Sequence, residues 1–345
     1  MYGLCFRRWM GRAVVLFALL LTAPSLSAQP SDLSVDRVGL TVDDADRAIP
    51  FYRDALAFRV VADTVVQHPD VSRLLGVFGA RVRIVTLRLG QEELALYDYL
   101  SPDGRPRPPA AQSNDHTFQH VAIIVRDMDA AYERLQEHGV THVSPEPQRL
   151  PDWNPNAGGI EAFYFDDPSG NTLEILHFPP DKGAARWHRE TDRLFLGIDH
   201  TAIVVADTDA SLRFYRDALG FEVAGRSTNY GPEQERLNRV FGARLKITAL
   251  KAPGGGMGIE FLEYQSPSTG RPFPADTRSN DAWHAHIRLH TTGAAALTRA
   301  LLADGHPFVS PGALSFDPSV IGLTSGAMLR DPTGHALLLA APSTR

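Results

Sequence analysis

Beyond residue 30, short apolar runs are followed by segments whose apolar positions recur at helical spacing. Val38-Gly39-Leu40-Thr41-Val42, Val121-Ala122-Ile123-Ile124-Val125 and Thr201-Ala202-Ile203-Val204-Val205 are rich in β-branched residues and predict strands. The helical spacing after them, for example in the stretch reaching Gly139, predicts a helix. Later runs at 83–87 and 161–165 predict further strands. Asp167-Pro168-Ser169-Gly170 and Asp331-Pro332-Thr333-Gly334 predict turns into a last strand. The coarse unit is β-α-β-β-β.

This pattern repeats. Phe51-Tyr52-Arg53-Asp54-Ala55-Leu56 returns as Phe214-Tyr215-Arg216-Asp217-Ala218-Leu219, and Val77-Phe78-Gly79-Ala80-Arg81 returns as Val240-Phe241-Gly242-Ala243-Arg244. Gly-Arg-Pro at 104–106 and Ser-Asn-Asp at 113–115 reappear at 270–272 and 279–281. Self-similarity of this kind marks duplicated structural units. It divides the chain into halves at 30–180 and 195–345, joined by a polar linker at 181–194. Each half divides again, because the run from His120 matches the run from His200, giving units that begin near residues 35, 118, 198 and 284.

The first 28 residues read differently. Arg7, Arg8 and Arg12 precede an apolar run from Ala13 to Leu21 and the small-residue segment Ala23-Pro24-Ser25-Leu26-Ser27-Ala28. This predicts a signal peptide at 1–28 and a periplasmic or secreted protein; the run is too short for a stable membrane span. Its removal takes away three arginines and no acid, so the formal charge moves from -6 to -9. No basic tract remains to favour a nucleic-acid partner, and no membrane association is expected after cleavage. The single cysteine, Cys5, leaves with the signal, which excludes disulfides, thiolate ligands and a cysteine nucleophile.

The openings Ile198-Asp199-His200 and Phe118-Gln119-His120, the Phe-Tyr-Arg-Asp-Ala-Leu segments, and the endings Asp-Pro-Ser-Gly-Asn-Thr-Leu-Glu at 167–174 and Gly-Ile-Glu-Phe at 258–261 carry a resemblance. Across nearly the whole mature chain the sequence resembles the vicinal-oxygen-chelate superfamily of glyoxalase I, methylmalonyl-CoA epimerase, extradiol dioxygenases and bleomycin-binding proteins. The resemblance implies an α+β fold in which four βαβββ modules form two glyoxalase-like domains with half-barrel sheets. It also implies a metal held between two modules, each offering one ligand from its first strand and one from its last. Carried over, those positions are Arg37 and Ala95, His120 and Glu174, His200 and Glu260, and His286 and Leu338.

Two ligand sets follow from this. If modules two and three pair, His120, Glu174, His200 and Glu260 form a complete site for one divalent ion, zinc, nickel, cobalt, manganese or iron. If modules pair within each half, His200, Glu260 and His286 form a 2-His-1-carboxylate set suited to iron(II). A lone strand-opening histidine is usually just a hydrogen-bonded residue, but here three recur at equivalent positions. Glu174 and Glu260 lie inside apolar strands, where an unpaired carboxylate is costly and a solvent-facing one is the plain alternative. His284 and His290 are expected at the surface, and Glu263 and Asp98 in a shared structural role. The loop Trp153-Asn154-Pro155-Asn156 matches a place where the family lines its pocket.

The first functional expectation is a metal enzyme acting on a small substrate with vicinal oxygens, in glyoxalase-, lyase- or isomerase-like proton transfer with Glu174 or Glu260 as base. The alternatives are an extradiol ring-cleaving dioxygenase with iron(II), and a binding protein that sequesters a small antibiotic-like molecule. Export argues against a glutathione hemithioacetal as substrate.

Overall fold

The computed structural model describes residues 29–343, so the expected signal peptide lies outside the described residues. The architecture is α+β and follows the four-unit division. Unit one contributes β1 (Ser34–Val42), β2 (Arg59–Gln67), β3 (Arg81–Leu89) and β4 (Glu92–Ser101). Unit two contributes β5 (Phe118–Val125), the two-residue strands β6 (Thr141–His142) and β7 (Gln148–Arg149), β8 (Glu161–Asp166) and β9 (Thr172–His177). Unit three has β10 (Phe195–Val204), β11 (Glu222–Tyr230), β12 (Arg244–Lys251) and β13 (Gly258–Ser266). Unit four has β14 (Ala285–His290), β15 (Leu314–Ser315), β16 (Leu323–Arg330) and β17 (Ala336–Pro342).

After the first strand, three of the four helices open on an aspartate. Asp44, Asp127 and Asp207 accept hydrogen bonds from backbone N–H groups of the following turn, satisfying donors that a helix start leaves free. In units one and three the Phe-Tyr-Arg-Asp-Ala segment then widens into a π turn. Tyr52 and Tyr215 are fully buried there. Tyr52 Oη donates to Asp167 at 2.9 Å and Tyr215 Oη donates to Asp331 at 3.2 Å. The repeated aromatic helix of one unit and the Asp-Pro turn of the next are therefore two halves of one contact.

The sheets do not follow the sequence halves. An eight-stranded sheet runs β15-β16-β17-β14-β1-β4-β3-β2, and a nine-stranded sheet runs β11-β12-β13-β10-β5-β9-β8-β6 with β7 against β8. Units one and four thus share one curled sheet, and units two and three share the other. Each union is made by first strands, β1 antiparallel to β14 and β5 antiparallel to β10. Within every unit the first and last strands are parallel. One apolar core joins all four units, with Leu40, Phe165, Phe261 and Leu339 among its buried members.

The repeated Gly-Arg-Pro and Ser-Asn-Asp segments lie in the two connections that cross between sheets. Arg105 holds Asp281 through its backbone N, Nε and Nη2 at 3.0, 3.0 and 2.7 Å. Arg271 grips Asp115 in the same way at 2.8, 3.0 and 2.5 Å. Only glycine fits beside each arginine: a Cβ on Gly104 would lie 1.6 Å from the Asn280 carbonyl oxygen, and one on Gly270 would lie 1.8 Å from that of Asn114. The duplication therefore encodes a reciprocal clasp between the crossovers.

Candidate metal centre

At the middle of the nine-stranded sheet, the β5–β10 register sets His120 opposite Ala202 and Ala122 opposite His200. The flanking parallel strands set Glu174 beside Ala122 and Glu260 beside Ala202. Cross-strand partners share a face, as do residues two apart along a strand. The four side chains consequently rise from one face, and the two alanines between them leave space for the longer groups to converge.

They do converge. His120 Nε2 lies 3.1 Å and His200 Nε2 lies 3.8 Å from Glu174 Oε2. His200 Nε2 is also 3.4 Å from Glu260 Oε2. Candidate ligand atoms of His120, Glu174 and His200 all lie within 4.8 Å of one another, and these three residues are buried. Glu260 reaches the cluster through His200, with 24% of its side chain exposed.

The far ring nitrogens are also engaged. His200 Nδ1 contacts Asp199 Oδ2 at 3.0 Å, and Asp199 Oδ1 accepts from Trp187 Nε1 at 2.7 Å. His120 Nδ1 meets Gln119 Oε1. Such partners orient a ligating imidazole and leave Nε2 free for a metal. Strict alternation would send Asp199 away from its neighbour His200, but the β5–β10 ladder shifts register between Ile198 and His200. Trp187 comes from the short helical turn Ala185–His188 in the linker and reaches the site through Asp199.

Burial alone would lower the His200 imidazole, but Glu260, the hydrogen bond and charge of Asp199, and Glu174 together push it up to about 10. Burial would raise Asp199, which His200 and Trp187 nonetheless hold below the ordinary carboxylate value. Burial, with Glu174 nearby, drives the Tyr164 hydroxyl well above 10, so it stays protonated. Two imidazole nitrogens and two carboxylates gathered on one face of the sheet form a donor set that suits one divalent cation.

The alternative set His200, Glu260 and His286 is not brought together. His286 stands in the eight-stranded sheet, opposite Gly39 and edge-on to Tyr97 at 4.9 Å. The swap of sheets, which puts unit four with unit one, is the reason. At the remaining carried-over positions, Arg37 faces Arg288, Ala95 lies beside Gly39 and Leu338 beside Arg288. His284, expected at the surface, is buried, while His290 is half-buried. Asp98 and Glu263 do share a structural role: each accepts a backbone N–H at a helix start, from Ala45 and Thr208.

The cavity over the candidate cluster is small, about 140 Å³, and its wall includes Leu237, Ile247, Asn156, Asn229 and Gln234. Asn156 belongs to the loop expected to line a pocket. Gln234 Oε1 is buried and has no hydrogen-bond partner among the described residues. Asn229, Gln234, Tyr164, Asp199 and Trp187 were not singled out as site residues by sequence. The sequence signal for Asp199 is its adjacency to His200 and that for Asn229 and Gln234 is their polarity, while no local pattern marks Tyr164 or Trp187.

The sequence model of the Glyoxalase/Bleomycin resistance protein/Dioxygenase superfamily matches residues 34–175 and 197–339. A 2-epi-5-epi-valiolone epimerase from Actinomyces sp is 35% identical over 155 residues, 44% of this chain and 82% of that protein. An iron-dependent extradiol dioxygenase from Rhodococcus jostii (strain RHA1) is 42% identical over 71 residues, 18% of this chain and 22% of that enzyme. Among solved structures, glyoxalase I from Zea mays superposes with a TM-score of 0.56 at 15% identity, covering 90% of this chain and 92% of that one.

Proposed function

Because the chain belongs to the Glyoxalase/Bleomycin resistance protein/Dioxygenase superfamily, we propose that it is a divalent-metal enzyme moving a proton beside the carbonyl of a small substrate with vicinal oxygens, in an epimerase- or isomerase-type reaction. The observation that carries this reading is the convergence of His120, Glu174, His200 and Glu260 in one cup. A cation held by these residues would stabilise negative charge developing on the substrate oxygens, by several kcal/mol.

The chain's own groups divide the remaining work. Glu260 touches the cluster only through His200 and is the more exposed carboxylate, so it is assigned to remove and return the proton. Glu174 is held by both imidazoles and stays in place. The unpartnered Gln234 Oε1 accepts a substrate hydroxyl, and Leu237 and Ile247 shield the reacting carbon from water. The similarity to an epimerase supports proton transfer in particular. The sequence of the segment at 1–28 supports export, and with it a reaction outside the cytoplasm.

The short match to an iron-dependent extradiol dioxygenase supports a second reading, oxygen-dependent ring cleavage at the same cluster. The discriminating experiment combines metal analysis with isotope exchange. The proposal expects about one metal per chain, lost in His120→Ala and Glu174→Ala and kept in His286→Ala. It also expects anaerobic deuterium incorporation from D2O into a 2-hydroxyketone, tested on a panel that includes 2-epi-5-epi-valiolone. Turnover of a catechol that consumes oxygen, with no exchange on the panel, would favour the second reading; metal retained in His120→Ala would overturn both.

A further inference from the structure

We propose that the cup of the eight-stranded sheet is a second, metal-independent site that binds a small amphipathic carboxylate. In this cup Arg37 stands at the position of His200 and Arg288 at that of Ala122, while Leu338 and Ala95 replace the two glutamates. Two guanidinium groups and no carboxylate at these positions repel a cation and favour an anion.

A cavity of about 360 Å³ opens here, within the range of small-molecule sites. Arg37, Arg88 and Arg288 are on its wall with Glu93 as their only acidic companion there. Arg37 Nη2 and Arg88 Nη2 both meet Glu93, the latter at 2.6 Å, and Arg288 Nε donates to Asp36 at 2.8 Å. Three guanidinium groups against two carboxylates leave one positive charge in excess, which matches a single carboxylate rather than a phosphate dianion. Arg37 Nε is buried with no hydrogen-bond partner among the described residues. A buried charged donor without an acceptor is unfavourable, and a ligand oxygen would supply one.

The rest of the wall is mostly apolar, with Thr64, Thr86, Tyr97 and Ser319 as its polar members. Val66, Val71, Leu74 and Ile84 share its wall with the arginines, and Val71 and Leu74 are almost completely buried on the helix Pro69–Leu75. A charged head at the sheet and a hydrocarbon tail under this helix would satisfy both ends.

Calorimetric titration of the full chain with hexanoate and with 1-hexanol, in EDTA, tests the proposal without involving the metal centre. Hexanoate should bind once per chain, roughly tenfold or more tighter than 1-hexanol, the equivalent of about 1.4 kcal/mol. Arg37→Met should weaken hexanoate at least about tenfold, and Glu174→Ala should leave it unchanged. Should Arg37→Met fail to fold, Ala62→Trp at the exposed rim is expected to block hexanoate by filling the cavity. No hexanoate binding, equal binding of 1-hexanol, or binding abolished by Glu174→Ala would overturn the site.

Discussion

His120 Nε2 and His200 Nε2 lie 3.4 Å apart, although they belong to the first strands of units in different sequence halves. Their meeting follows from β5 pairing with β10, and every property of the candidate centre depends on that pairing.

The contacts behind His200 are expected to tune metal affinity without contributing a ligand. Asp199→Asn removes the charge that orients the imidazole and should weaken metal binding roughly 10- to 100-fold. Trp187→Phe, which removes the Asp199 donor, should act in the same direction by a smaller factor. Competition with a chromogenic chelator measures both, and unchanged affinity in Asp199→Asn would refute the role.

The two glutamates should separate kinetically. Glu260→Gln is expected to keep the metal and lower kcat by roughly 10² to 10⁴. Glu174→Gln is expected to lose metal first. The decisive comparison is activity at saturating metal, where rescue of Glu260→Gln would remove it from the proton-transfer role.

The crossover clasp predicts a stability effect far from any site. Gly104→Ala drives a methyl group into the Asn280 carbonyl and should destabilise the fold by about 1–3 kcal/mol, the usual cost of overpacking. Gly305→Ala serves as the control: its Cβ would meet nothing within 4 Å, though its φ of +80° makes some strain unavoidable. Urea unfolding of the two variants should therefore rank Gly104→Ala as the more damaging.

Acid sensitivity should trace in part to His286. Burial first, then Arg288 and Arg37, hold this imidazole at about 3 instead of the ordinary 6.5. Between these values the unfolded chain binds a proton that the folded chain refuses, so stability falls as pH drops from 6.5 towards 3. One such group contributes a slope of up to about 1.4 kcal/mol per pH unit. His286→Gln should flatten the dependence of the urea midpoint over that window, and an unchanged slope would assign it elsewhere.

Much of this protein's architecture is legible in its amino-acid sequence. Repeated hydrophobic patterning located four βαβββ units, because a strand with one buried face and a helix with one apolar stripe leave distinct periods in the chain. The candidate ligands were visible because duplication set His120, His200 and His286 at one position, and because Glu174 and Glu260 interrupt apolar strands. What no local pattern encodes is which first strand pairs with which. β5 could satisfy its edge against β1 or β10 with the same residue types, and the choice rests on long-range packing of the crossovers and the shared core. That tertiary choice gathered His120 with His200, sent His286 to the other sheet among arginines, and turned Trp187 of the linker into a support for the candidate metal centre.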